Sequence, residues 1–341
     1  MSKMTIYTLA KELNMTPSMV SRALSPDGKV SEEKRRLVLE AAEKYNFHPN
    51  KFASRLSMKP IRIGVLMCSR FAVNAEKMTE GIRLSHEQLK DYKIDYDISI
   101  IDQNAAESEI RVILDRYAEF DGIIISGMSA ARFTDIISDT YKKNKNIVQV
   151  QAVNTSAPSL FSSKHDETTA SGIAADFLSQ CLRYSERKNV ILFTGDLGSS
   201  VHTNAHNAFK SFCAEKRLQL LSTVDMRDDE QYFSCILPEI FEKYKNQIDG
   251  IYITSGLSAP LCRYIEKNNI DIPLVAFDTY PEIKSYMEKG IISAAISQNV
   301  THQMKIAFDA LVKYIITNEK CDPILFTDVN LMLKSNMNQF D

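Results

Sequence analysis

His202 and His206 stand four residues apart in a chain of 341 residues, the spacing that puts two imidazoles on one face of a helix. Such a pair can hold a metal ion or hydrogen-bond a polar ligand. A zinc enzyme of the HExxH kind needs a glutamate between the histidines and a third ligand, whereas residues 203–205 are Thr-Asn-Ala. The pair is therefore assigned to ligand hydrogen bonding, with His206 as the contact, and no metal is expected. No GxGxxG fingerprint, phosphate loop or GxSxG elbow occurs, and no nucleophile stands beside an evident base, so neither a cofactor nor catalysis is expected. Six cysteines are scattered without a CxxC pair, which reads as buried or idle thiols in a reducing cytoplasm.

Charge points to a different chemistry. Residues 1–60 carry eleven Lys/Arg against six Asp/Glu, a net of +5, while the remainder carries thirty against thirty-seven, a net of −7. A basic head on an acidic body suggests that the head binds a polyanion. With 44% hydrophobic residues the chain can bury a sizeable core, and its length fits two or three domains. There is no apolar leader and no run approaching eighteen apolar residues, so a cytoplasmic protein without a membrane partner is expected.

The elements that would position a polyanion site are short helices. Thr5 is a good N-cap, and Ile6, Leu9, Ala10 and Leu13 recur at helical spacing until Asn14, so a helix is predicted over residues 6–13. Thr16 caps a second helix with Pro17 at its first position, where a missing N–H costs nothing. Residues 25–28, Ser-Pro-Asp-Gly, read as a turn, and a third helix follows Ser31, with Val38, Ala41, Ala42 and Tyr45 on one side. Two short helices joined by a tight turn in a basic domain fit a helix-turn-helix, although a structural cap or protein-docking module has the same amphipathic pattern.

The strings TIYTLAKELNMTPSMVSRAL and VSEEKRRLVLEAAEKYNFHPN separate these readings. They resemble the DNA-binding head of the lactose-repressor family, whose pattern runs TIxDVAxxAGVSxxTVSRxLN and then VSxxTRxxVxxAxxxLxYxPN. Thr8 stands where the family usually has Asp, and Asn14 where it usually has Gly. The resemblance implies double-stranded operator DNA as partner, with Pro17, Ser18 and Arg22 facing the bases and Arg22 offering a bidentate fork to guanine. It makes Thr5, Tyr7, Thr16, Ser21 and Asn50 phosphate contacts, which position the helix without reading sequence. The segment after Pro49 matches the family's NxxAxxL hinge through Asn50, Ala53 and Leu56. A helix so short needs a partner to fold. In the family two such helices of a dimer pair in the minor groove, which would make Leu56 a wedge between base steps.

From Ile61 onward, β-branched runs alternate with helical stretches, the pattern of a parallel α/β sheet. Ile63–Met67 is echoed 128 residues later by Ile191–Gly195, Asp121–Ile125 by Asp249–Ile253, and Ile147–Val150 by Val275–Asp278. Two tandem Rossmann-like lobes are predicted, with a ligand cleft beyond the carboxyl ends of their strands. This body resembles the periplasmic sugar-binding-protein fold that lactose-repressor relatives carry, which implies three crossings between lobes, near residues 162, 290 and 320. The expected organisation is a helix-turn-helix head over 1–48, a hinge over 49–60 and a two-lobed body over 61–341.

The resemblance implies a homodimeric transcriptional regulator, expected to be a repressor, controlled by a small carbohydrate-like effector. Candidate effector contacts are Ser69, Arg70 and Phe71 after the first strand, Asp166, Asn204 and His206, Asp278 in VAFD, and Gln298 in ISQN. Asp278 leads, because a carboxylate at a strand end can accept from two sugar hydroxyls; the competing role is an N-cap for the helix from Pro281. Phe71 and Phe193 are candidates to stack on a sugar ring, and Arg70 suits an acidic group on the ligand. Two departures weaken any transfer of a known sugar chemistry: Ala208 replaces the family's usual Arg, and Ser255-Gly256 replaces an Asn-Asp pair. The alternative reading is a carbohydrate-binding or carbohydrate-processing protein with an accessory DNA-binding head. The end of the chain lacks leucine heptads, so dimers rather than tetramers are expected.

Overall fold

A computed structural model describes residues 5–24, 30–45, 47, 59–69 and 72–340. The chain divides into two compact units, a head ending at Lys59 and a body that begins at Pro60. The predicted turn over 25–28 and the hinge residues Asn50, Ala53 and Leu56 lie outside the described residues.

Three helices make the head: α1 (Ile6–Glu12), α2 (Pro17–Leu24) and α3 (Glu32–Lys44). A reciprocal capping box starts α1: the Thr8 N–H donates to Thr5 Oγ1 at 3.2 Å and the Thr5 N–H to Thr8 Oγ1 at 2.8 Å. Thr8 thus fills the acceptor role that an Asp at this position would fill. The helix ends as a Schellman turn, with Met15 N–H on the Ala10 carbonyl, Asn14 N–H on the Lys11 carbonyl, and Asn14 at φ 50°. Asn tolerates this left-handed position better than other residues with a Cβ, which explains how it can replace Gly. Leu9, Ala10, Val20, Ala23 and Val38 close a small core, and the Tyr45 hydroxyl donates to Glu12 across it.

The body contains two six-stranded sheets. Lobe one begins with β1 (Ile61–Cys68), α4 (Ala72–Gln88), β2 (Ile94–Ile101), α5 (Glu107–Tyr117) and β3 (Gly122–Ser126). It continues with α6 (Thr134–Lys143), β4 (Ile147–Val150) and β5 (Phe161–His165). Lobe two holds α7 (Glu167–Cys181), β6 (Asn189–Thr194), α8 (Ser200–Glu215), β7 (Gln219–Asp225) and α9 (Glu230–Lys243). After these come β8 (Gly250–Ile253), α10 (Ser258–Lys267), β9 (Leu274–Phe277), α11 (Pro281–Glu288) and β10 (Ala294–Ser297). The chain then returns to lobe one as α12 (Val300–Thr317) and β11 (Ile324–Thr327), and ends in lobe two with β12 (Asn330–Met332).

The strand orders are β2-β1-β3-β4-β5-β11 and β7-β6-β8-β9-β10-β12, parallel except where β12 runs against β10. The 128-residue repeat extends to side chains. Asp121 accepts from the Arg62 N–H and Asp249 from the Asn189 N–H, both at 2.8 Å, so one device secures the first strand of each lobe. Buried apolar strands covered by helices form the cores, Leu66, Ile123 and Ile147 in lobe one and Ile191, Phe193 and Leu274 in lobe two.

The three crossings fall between β5 and α7, between β10 and α12, and between β11 and β12. Each comes a few residues later than the expected 162, 290 and 320, because the strand before it runs to its carboxyl end before the chain leaves the sheet. The helix α12 packs closely on α4, where a Cβ on Gly81 would meet the Thr301 carbonyl oxygen at 2.3 Å. No helix among the described residues is long and apolar enough to cross a membrane.

Candidate functional site

On the head, the residues expected at DNA form one exposed face. Ser18, Ser21 and Arg22 are spaced i, i+3 and i+4 on α2, opposite the buried Val20 and Ala23, and all three are exposed. Pro17 is half-buried at the first turn. Thr16 caps that turn by accepting from the Met19 N–H at 3.2 Å, and Thr5 and Tyr7 stand exposed at the start of α1, Tyr7 at 73%.

In the body, the carboxyl ends of both sheets converge on a cleft of about 160 Å³. Ser69 follows β1, His165 ends β5, Asp196 follows β6, Asp228 follows β7, Asp278 follows β9 and Gln298 follows β10; all line the cleft. That volume lies below the ~300–1,000 Å³ usual for drug-sized ligands and suits a molecule of monosaccharide size. Lobe touches lobe at its rim: Ser129 and Ser199 hydroxyls lie 2.9 Å apart, the Ser200 hydroxyl donates to the Val153 carbonyl at 3.1 Å, and Lys77 Nζ donates to Thr279 Oγ1 at 2.8 Å.

Asp278 is the best-built group. Gln298 Nε2–H donates to its Oδ1 at 2.6 Å and the Tyr280 hydroxyl to its Oδ2 at 3.0 Å. Burial pushes its carboxyl above the ordinary carboxylate range against the pull of those two donors. It is not the N-cap of α11; Tyr280 holds that position, without a side-chain cap. Asp278 itself sits at φ 72°, a left-handed backbone fixed by its own N–H on the Ile296 carbonyl at 2.9 Å.

A second cluster comes from lobe two. His202 Nε2 lies 3.3 Å from Asp228 Oδ2, the Asp196 N–H donates to that oxygen at 3.2 Å, and the Ser255 hydroxyl to Oδ1 at 3.1 Å. Burial alone would raise the Asp228 pKa, but His202 and the other donors outweigh it and hold the carboxyl at about 2. A Cβ on Gly195 would lie 2.3 Å from His202 Nε2 and 2.4 Å from Asp228 Oδ1, so a side chain there would have to displace one of them. His165, 3% exposed, packs on Phe277 with ring centroids 5.3 Å apart, and burial lowers its pKa to about 4, so it is neutral. Among the described residues the Nδ1 atoms of His165 and His202 are buried without a hydrogen-bond partner.

Of the expected effector residues, Ser69, Asp278 and Gln298 come together in the cleft. Arg70 and Phe71 lie outside the described residues. Asp166, Asn204 and His206 are placed elsewhere. Asp166 N-caps α7, its two oxygens taken by the Thr168 N–H at 3.0 Å and the Thr169 hydroxyl at 2.6 Å. Asn204 shares an outer groove with Asp166 and Phe326, because two residues along a helix turn a side chain to the opposite face from His202. His206 Nδ1 bonds the Thr223 hydroxyl of β7 at 3.0 Å; α8 runs away from the cleft, and four residues carry it roughly 6 Å too far. Phe193 is fully buried against Phe233 because it lies within β6 rather than beyond its end.

His165, Asp196, Asp228, Phe277 and Tyr280 are among the lining residues that sequence reasoning missed. The acidic run after β7 was the available sign, and the two successive left-handed residues Arg227 and Asp228 turn it back into the cleft. Three buried cysteines, Cys68, Cys213 and Cys262, have thiols pushed up to about 12 by burial. Among the described residues no three His, Cys, Asp or Glu side chains group as metal ligands.

Comparison with known proteins places these two sites in context. A periplasmic binding protein domain matches residues 75–320, and a domain of bacterial regulatory proteins of the lacI family matches residues 5–50. The HTH-type transcriptional regulator pepR1 of Lactobacillus delbrueckii subsp. lactis is 23% identical over 263 residues, 75% of this chain and 73% of that protein. A glucose-galactose binding protein from Geobacillus stearothermophilus has a similar fold, with a TM-score of 0.73 at 18% identity over 82% of this chain and 99% of its own. A candidate LacI transcriptional regulator from Bacteroides fragilis gives 0.71 at 15% identity over 83% and 100%.

Proposed function

This chain belongs to the periplasmic binding protein domain family and carries a lacI-family head, and we propose that it is a sequence-specific DNA-binding transcriptional regulator controlled by a small carbohydrate-like effector. The observation that carries this reading is the pairing, in one chain, of an exposed Ser18-Ser21-Arg22 face with a polar cleft built from strand ends. Arg22 reads a base edge, and Thr5, Tyr7, Thr16 and Ser21 hold phosphates that fix the helix in the major groove. Two copies act as a homodimer, so that their α2 helices meet successive major grooves about one turn apart.

In the cleft, Asp278, Gln298 and Ser69 take effector hydroxyls, and Phe277 with Tyr280 offers an apolar face. Effector binding stabilises the closed arrangement of the lobes over the open one, and the change in lobe geometry alters how two paired chains present their hinges and heads. Couplings of this kind are worth about 1–3 kcal/mol, enough for a several-fold to hundred-fold change in operator occupancy.

The test starts from an operator selected in vitro with the full chain, then follows its binding by fluorescence anisotropy while a library of neutral, amino and acidic sugars is added. A half-symmetric selected site and at least one sugar that shifts the operator affinity are expected, with the shift lost in Asp278→Ala. Selection of no motif, or an unaltered sugar response in Asp278→Ala, refutes the reading. Turnover of a bound sugar would revive the alternative of a carbohydrate-processing protein with an accessory head.

A further inference from the structure

Two histidines of the cleft have one ring nitrogen engaged and the other not. Asp228 Oδ2 lies 3.3 Å from His202 Nε2, which places that ring's proton on Nε2 and its lone pair on Nδ1. His165 reaches the same form through an intermediary. Its Nδ1 has no hydrogen-bond partner among the described residues, so its bond with the Gln298 side chain is made by Nε2. Gln298 gives its amide nitrogen to Asp278 Oδ1 at 2.6 Å, and Gln303 Nε2 donates to the Gln298 carbonyl at 2.7 Å and lies 3.4 Å from its Oε1. That leaves the amide oxygen for the ring. An amide oxygen only accepts, so His165 also carries its proton on Nε2 and a lone pair on Nδ1.

Both Nδ1 atoms belong to side chains that line the cleft, and both are buried without a partner among the described residues. They come from different lobes: His165, 3% exposed, ends β5 of lobe one, and His202 stands on α8 of lobe two. Buried polar atoms in native proteins are nearly always paired, so two acceptors on one cleft call for a ligand that brings a donor to each. No Lys or Arg is found among the described lining residues. The ionised oxygens of a carboxylate or phosphate have no hydrogen to give, and at either histidine they would set lone pair against lone pair.

Resting on the reading of the cleft as a carbohydrate-like effector site, we propose that His165 and His202 are specificity-determining residues, each accepting through Nδ1 the hydroxyl hydrogen of an uncharged sugar. The carboxylates behind them are positioning residues: Asp228 directly, and Asp278 by way of Gln298, hold each ring in the tautomer that accepts. A site built to bond a hydroxyl rejects an analogue lacking it far more strongly than an apolar pocket rejects an added group. The two histidines therefore read the positions of hydroxyls on the ring. Because they stand on different lobes, a sugar that donates to both also bridges the closed state.

Isothermal titration of the full chain tests this. Glucose, galactose, mannose, ribose and arabinose are compared with their phosphate esters and the hexose uronates, and the tightest binder is then titrated with each hydroxyl replaced in turn by hydrogen and by fluorine. Fluorine donates nothing, so a hydroxyl that serves as donor is lost by both replacements. The neutral sugar is expected to bind roughly tenfold or more tighter than its charged forms, and two hydroxyl positions should each lose about tenfold or more on fluorination as well as on removal. His165→Gln, which keeps a polar atom near Nε2 but none near Nδ1, should make one of those positions indifferent, and His202→Gln the other. His165→Asn, with its amide oxygen near the Nδ1 position, should recover most of the discrimination. A neutral sugar that tolerates fluorine at every position, or a phosphate or uronate that binds as tightly as its neutral form, overturns the proposal while leaving the carbohydrate reading intact. Discrimination unchanged in both Gln variants also overturns it, and the fluorinated series on the wild-type chain decides the matter where a variant does not fold. Failure of every sugar to bind overturns both readings.

Discussion

The hydroxyls of Ser129 and Ser199 meet at 2.9 Å across the cleft rim, one from the loop after β3 of lobe one and the other from the residue that opens α8 of lobe two. Neither serine has this bond unless the lobes are closed, so the pair reports the closed state and contributes to it. Replacing either with alanine removes a contact worth about 0.5–1.5 kcal/mol to that state. The expected result is effector release several-fold faster, with association almost unchanged, read by stopped-flow fluorescence. Equal release rates in wild type and both variants would mean that closure depends on other contacts.

Arg22 is exposed on α2, on the face proposed to meet the operator. Arg22→Ala should cost roughly 1–3 kcal/mol of operator affinity and relax preference at one symmetric base pair. Sequencing of operators selected with the variant checks this, and an unaltered motif removes Arg22 from base recognition.

Gly195 is a packing requirement rather than a flexible joint, because His202 and Asp228 occupy the space a side chain would take. Gly195→Ala should displace the imidazole or the carboxylate, with about 1–3 kcal/mol of overpacking cost, and effector affinity should fall further than stability. Calorimetric binding beside thermal unfolding separates the two effects; parallel small losses would show that the cluster can shift without consequence.

His165 ties stability to pH. Its folded pKa is lowered from 6.5 to about 4 by burial, so the fold holds the neutral ring and the unfolded chain takes up the proton first. The contribution is fully present above pH 6.5 and is lost as pH falls toward 4, a change of roughly 3 kcal/mol if burial persists. His206, also lowered, adds in the same direction; Asp228 titrates below this window, and Asp278, raised by burial, acts with the opposite sign. The melting temperature of the unliganded chain should therefore fall more steeply between pH 6.5 and 4.5 in wild type than in His165→Gln. Superimposable curves would show that His165 is protonated in the fold.

The regular part of the molecule was legible because it repeats: β-branched runs 128 residues apart marked both sheets, and strand ends pointed to Ser69, Asp278 and Gln298. Legibility stopped where a side chain's direction depends on one residue of register. Asp166 follows His165 directly, yet His165 ends β5 facing the cleft while Asp166 has turned to cap α7. Spacing likewise places His202 and His206 on one helix face but says nothing of which turn faces the cleft, and it is His202 that lines it. The acidic group expected on the effector rested on Arg70, which lies outside the described residues, whereas Asp228 was invisible until the reversed loop after β7 brought it to the Asp196 N–H.

The third crossing has a consequence for biosynthesis. Lobe one needs α12 and β11 to cover and extend its sheet, and β11 pairs with β5 through partners such as Ile324 and Ser162, more than 160 residues apart. Neither lobe is therefore complete when the ribosome has made only its first strands; lobe one waits for the segment that follows all but the last strand of lobe two. Such non-local closure slows folding, because loop entropy is lost before the distant contacts form. A chain cut short before Ile324 would forfeit an edge strand of each sheet at once, β11 of lobe one and β12 of lobe two, so both lobes stay unfinished until the same short stretch has been translated.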